Sequence, residues 1–115
     1  MSSNIPAGPL LYVVACRFAE GANDVATQWL KWICEKHLSE VLQSGALSAE
    51  VLQDSSSANQ FEIHYRFASA ADFARYERDH ALRLRADGLT RFPLSLGLEY
   101  QRRVAEQIAF RIEAE

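Results

Sequence analysis

Gln60–Phe67 reads QFEIHYRF, an unbroken alternation in which Phe61, Ile63, Tyr65 and Phe67 project to one side of an extended chain. Glu62, His64 and Arg66 project to the other. Period two with an apolar side and a polar side is the pattern of a strand lying on a core with its second face uncovered. Upstream, Leu10–Phe18 (LLYVVACRF) is apolar on both sides as far as Arg17. That pattern marks a central strand that needs cover on both faces. Two further stretches alternate: Ala46–Gln53 with Leu47, Ala49 and Val51 on one side, and Leu94–Arg103 with Leu96, Leu98 and Tyr100 against Glu99, Gln101 and Arg103.

Between these strands the period changes to that of a helix. Over Asp24–Ser44, Ala26, Trp29, Leu30, Ile33, Cys34, His37 and Val41 fall on one arc, with Asn23 or Asp24 available as a cap and Gly45 as a stop. A second helix is predicted from Ser69, which opens a capping-box-like S-x-x-D, to Ala86, with Asp87-Gly88 ending it. Its inward arc collects Ala70, Phe73, Ala74, Tyr76, Glu77, His80, Ala81 and Leu84. The order is β-α-β-β-α-β, which specifies an α+β fold of ferredoxin-like type: a four-stranded antiparallel sheet with both helices on one face. Residues 1–9 read as a loose tail, residues 10–104 as the domain, and residues 105–115 as an extension that either prolongs the last strand or forms a short helix.

The chain has 115 residues, 49% of them hydrophobic and 23% charged, enough for one core and too few for two. A net charge of −3 argues against nucleic acid as the main partner. The longest uncharged run near the N-terminus, Ile5–Cys16, is too short to span a bilayer. Cys16 and Cys34 form no C-x-x-C pair and read as reduced thiols, so a cytoplasmic location is expected. Two helices cover only one sheet face, and the apolar second face of the first strand predicts a homodimer.

Few residues carry chemistry. Glu62, His64, Arg66 and Arg103 share the uncovered sheet face and form the candidate ligand site, a polar pocket for a small anionic or mixed-charge metabolite in the dimer interior. His37-x-x-Glu40 and Glu77-x-x-His80 place imidazole and carboxylate within contact on each helix. Glu-x-x-His recurs in carboxylate metal centres, but those need several such motifs converging in a bundle. His37, Glu40, Glu77 and His80 are therefore read as interior polar props held by backbone or by Tyr65, Tyr76 or Tyr100. No metal and no cofactor is expected. Trp29 reads as core and Trp32 as an edge or interface residue. Arg75, Arg78, Arg83 and Arg85, interleaved with Asp72, Asp79 and Asp87, read as a solvated helix face. There is no Gly-rich phosphate loop, G-x-S-x-G elbow or dinucleotide fingerprint.

The run Trp32-x4-His37-Leu38-x-Glu40-Val41-Leu42 with Gly45, then Tyr76-x3-His80-Ala81-x2-Leu84-Arg85-x2-Gly88-x3-Phe92 and Arg102-Arg103, resembles a small bacterial family of unknown function. The likeness spans Leu11 to Val104. It implies a ferredoxin-like, dimeric α+β barrel type of fold and carries no substrate or catalytic residues with it. Relatives in the wider superfamily include cofactor-free monooxygenases and haem-degrading enzymes, and fold does not choose among them. Two functions stand: a non-enzymatic or metabolite-binding dimer, and a small cofactor-free oxygenase-like or haem-handling enzyme using the dimer cavity.

Overall fold

The computed structural model describes residues 9–108 and residue 114. Strand β1 (Leu10–Phe18) is followed by helix α1 (Asn23–Trp32), which runs through a π-helical turn, Ile33–His37, into α2 (Leu38–Gln43). Strands β2 (Ser48–Gln53) and β3 (Gln60–Phe67) form a hairpin. A second helical rod consists of α3 (Ala70–Tyr76), a π-helical turn at Glu77–Ala81, and α4 (Leu82–Arg91). A 3-10 turn, Leu94–Leu96, leads into β4 (Leu98–Glu106). The strands lie in the order β2-β3-β1-β4, and every neighbouring pair is antiparallel. This is the predicted ferredoxin-like arrangement, with the two non-local pairings placing β1 and β3 at the centre.

Register assigns the faces. Tyr12 pairs with Tyr65, Val14 with Ile63 and Cys16 with Phe61, so the apolar set of β3 shares a face with the even residues of β1. Both helical rods cover that face, and Leu10, Tyr12, Cys16, Phe18, Trp29, Ile33, Val41, Ile63, Tyr65, Phe67 and Leu84 are all buried there. On the opposite face, Val13 is only 1% exposed, flanked across the ladders by His64 and Arg103.

Several boundaries differ from the sequence reading, each for a local reason. The first helix begins at Asn23 behind Ala22, without a side-chain cap, so neither Asn23 nor Asp24 caps it. Ser69 does cap the second, accepting the Asp72 N–H at 3.2 Å. Gly45 ends the first rod in the left-handed region, φ 125°. Gly88 ends nothing. It is buried inside α4, where a Cβ would meet Trp32 Cη2 at 3.3 Å, and the helix continues to Arg91. Its lack of a side chain serves close packing. The last strand starts at Leu98, because Gly97 at φ 101° closes the preceding 3-10 turn and a Cβ there would meet Ala19 Cβ at 3.1 Å. Ala105 and Glu106 prolong β4, which settles the start of the C-terminal extension as strand. Residues 109–113 and 115, and residues 1–8 of the N-terminal tail, lie outside the described residues.

Candidate functional site

Both helical rods carry a π-helical turn, and these turns organise the interior. In the first, the Leu38 N–H bonds the Ile33 carbonyl, five residues back. An α-helix advances about 100° per residue, so Trp32 and His37 would stand about 140° apart in a regular helix. One extra residue in the turn makes the pair behave as four apart, about 40°. The two rings consequently stack, with centroids 4.7 Å apart and an interplanar angle of 30°. The second turn acts alike on Glu77 and Arg85. Eight residues apart, they come together on one side, and the Arg85 guanidinium meets both Glu77 oxygens at 3.0 Å.

Beneath these turns lies a cavity of about 350 Å³ between helices and sheet. Its walls are aromatic: Tyr12, Trp29, Trp32, Tyr65, Tyr76 and Tyr100. Both tryptophans of the chain therefore face it. Leu89, Leu94 and Arg102, which are exposed, mark its mouth. Trp29 is held rigidly, its Nε1–H donating to the Tyr100 hydroxyl at 3.0 Å. Arg85 donates to the Tyr12 hydroxyl at 3.0 Å.

Four residues of the lining each carry a buried polar atom without a partner: Trp32 Nε1, His37 Nδ1, Tyr65 Oη and Arg85 Nε. Buried polar groups are rarely left unpaired, since each costs about 1–3 kcal/mol. Burial pushes the His37 pKa down to about 4; nearby Asp87 opposes this and Arg102 adds to it. Its imidazole is thus neutral at neutral pH. Burial also pushes the Tyr65 phenol far up and those of Tyr76 and Tyr100 to about 12, so all three stay protonated.

The sequence-derived site residues separate into two places. Of the four interior props, only His37 lines the cavity. Glu77 is bound by Arg85. His80 stands 3.2 Å from the Arg83 guanidinium, off the cavity, and Glu40 Oε1 is buried without a partner elsewhere on the first rod. Among the described residues none of the four bonds Tyr65, Tyr76 or Tyr100 as expected; the Tyr100 hydroxyl is taken by Trp29. Arg85, read as solvated, is half-buried in the core wall, and Trp32, read as an edge residue, forms the cavity wall.

Glu62, His64, Arg66 and Arg103 do share the uncovered face. His64 Nε2 lies 2.8 Å from Glu62, and its Nδ1 lies 3.9 Å from Glu50. Arg66 and Arg103 are exposed there. A hollow of about 380 Å³ opens on this face and includes Glu62, but His64, Arg66 and Arg103 lie outside its lining. Although slightly larger than the interior cavity, it is rimmed by groups already paired, Arg17 with Glu99 at 2.9 Å and Glu62 with His64. The unpaired buried atoms lie on the other side of the sheet. Arg102 was the signal available for that site: the period of β4 carries it onto the helix face with Leu98 and Tyr100. Among the described residues no group of three or more His, Cys, Asp or Glu side chains is placed to hold a metal ion. No described helix is long and apolar enough to cross a membrane.

Fold and register together define a ferredoxin-like α+β domain, here with an aromatic-walled cavity under its helices. The chain belongs to the DUF4286 family, a domain of unknown function, whose model matches residues 11–97. That range takes in both helical rods and stops short of Arg102. Three solved structures are similar in fold. A conserved protein of unknown function from Bacteroides thetaiotaomicron, with oxidoreductase activity suggested for it, is 16% identical at a TM-score of 0.63, covering 88% of this chain and 99% of that one. A proposed antibiotic biosynthesis monooxygenase from Deinococcus radiodurans is 16% identical at a TM-score of 0.64, covering 91% and 99%. A dimeric ferredoxin-like protein from an uncultured marine organism is 11% identical at a TM-score of 0.61, covering 90% and 98%. No curated protein matches the sequence.

Proposed function

We propose that this domain binds a small planar aromatic molecule in the cavity between its helices and its sheet. One observation carries the reading: a cavity is walled by six aromatic side chains, and four of its lining residues carry a buried polar atom without a partner. Aromatic walls favour a flat apolar body, and a few convergent polar atoms fix its orientation. Binding in the dimer interior, against Glu62, His64, Arg66 and Arg103, is the competing location, and the experiment below separates the two.

A homodimer through the uncovered sheet face is part of this reading. Leu11, Val13 and Ala15 form an apolar stripe there, of which Val13 is already buried in the single chain and Leu11 and Ala15 are half-buried. Arg66 lies opposite Leu11, His64 and Arg103 opposite the central Val13, and Glu62 opposite Ala15, while Glu99 beyond the stripe is already paired with Arg17. A two-fold axis through Val13 would bring each Arg66 toward the partner's copy of Glu62, a self-complementary arrangement. One neighbour of the same fold is a dimeric protein. Free Cys16 and Cys34 suit a reducing, cytoplasmic setting.

Catalysis in the same cavity is a second reading, favoured by His37. His37 lines the cavity, and its neutral imidazole, which carries an unpartnered Nδ1, is able to accept a proton. The oxidoreductase and monooxygenase descriptions of two neighbours point the same way.

The test is a panel of planar aromatic compounds followed by quenching of tryptophan emission, since both tryptophans line the cavity. Binding is expected in the wild type, is expected to weaken at least about tenfold in Trp32→Ala, and to survive in His64→Ala/Arg66→Ala. The reverse pattern would move the site to the sheet face and overturn the reading.

A further inference from the structure

The cavity's unpartnered atoms are not evenly divided between donors and acceptors. Trp32 Nε1–H and Arg85 Nε–H can only donate. Tyr65, kept protonated, has an O–H to give, and His37 Nδ1 serves either role. The charge is equally one-sided. Glu77 neutralises Arg85 from outside the lining. Arg102 lies at the mouth with its guanidinium 5.1 Å from the Tyr100 ring centre. No carboxylate among the described residues lies within ion-pair distance of it. Glu99, three residues earlier on β4, is also part of the lining, but its carboxylate is engaged by Arg17 at 2.9 Å.

A lining biased toward donors and an unpaired guanidinium at its mouth favour a ligand that carries negative charge. Resting on the reading above, we propose that the ligand is an aromatic carboxylate. Its ring lies among Trp32, Tyr65 and Tyr100, and its carboxylate engages the Arg102 fork at the mouth. A carboxylate is acceptor-only and planar, which matches a guanidinium in both respects.

Calorimetric titration of the full chain with 2-naphthoate and its neutral isostere 2-naphthamide tests this. Naphthoate is expected to bind at least about tenfold more tightly than naphthamide. Arg102→Gln, at an exposed position that leaves the core untouched, is expected to erase that preference by weakening naphthoate alone, with naphthamide within about twofold of wild type. Equal affinities in the wild type, or a preference unchanged in Arg102→Gln, would overturn the charge selectivity while leaving aromatic binding intact. Binding of neither probe would overturn both.

Discussion

Trp32 and His37 stack at 4.7 Å because one extra residue in the helix between them turns two side chains that would diverge onto the same side. The π-helical turn is therefore a phase correction. Deleting an exposed residue within it, Glu35, should restore a regular α-helix while keeping Trp29 and Val41 inward. Thermal denaturation of that variant should show a loss of no more than about 1 kcal/mol. Deleting exposed Gln28 from α1, by contrast, should rotate one part of the helix against the other by about 100° and cost several kcal/mol. Equal losses would contradict the phase account.

Stability should decrease as pH is lowered, through His37. Folded, its pKa is about 4; unfolded, about 6.5. Between these values the unfolded chain binds more protons, so stability is fully present above about pH 6.5 and declines toward pH 4. The loss reaches at most about 3 kcal/mol. Urea unfolding from pH 7 to 5 should show this slope in the wild type and a flatter one in His37→Gln.

The Trp29–Tyr100 hydrogen bond locks a tryptophan that is 0% exposed. Tyr100→Phe keeps the ring and orphans the indole N–H, which should cost about 1–3 kcal/mol in chemical denaturation. No measurable loss would mean that the indole finds another partner.

If the apolar stripe of β1 is the dimer contact, Leu11→Glu should convert a dimer into a folded monomer in light scattering. Leu11 lies on the uncovered face, so helical circular dichroism should be retained. A wild-type monomer at micromolar concentration would remove the interface.

The element order, the pairing of faces and the cap at Ser69 were legible because each rests on a local period or a local hydrogen bond. Gly88 misled because glycine before a turn signal and glycine admitting a neighbouring indole look alike in one sequence. The interior site was hidden for a sharper reason. A uniform 100° step places Cys34 and His80 inward and Trp32 at an edge. The two π turns shift that phase by one residue, leaving Cys34 exposed, moving His80 beside Arg83 and bringing Trp32 and Arg85 to the cavity. No propensity rule announces such a turn. Arg102 was readable in the period of β4, but its significance depends on which carboxylates the fold leaves beside it.

In the proposed binding mode the ligand enters beneath the helices. The most direct test follows the two indole N–H signals and the Val13 methyl signals by NMR while 2-naphthoate is added. Trp32, with an unpartnered N–H, should shift most, Trp29 less because Tyr100 already holds it, and Val13 on the opposite sheet face least. Shifts concentrated at Val13, with both indole signals unmoved, would contradict the account.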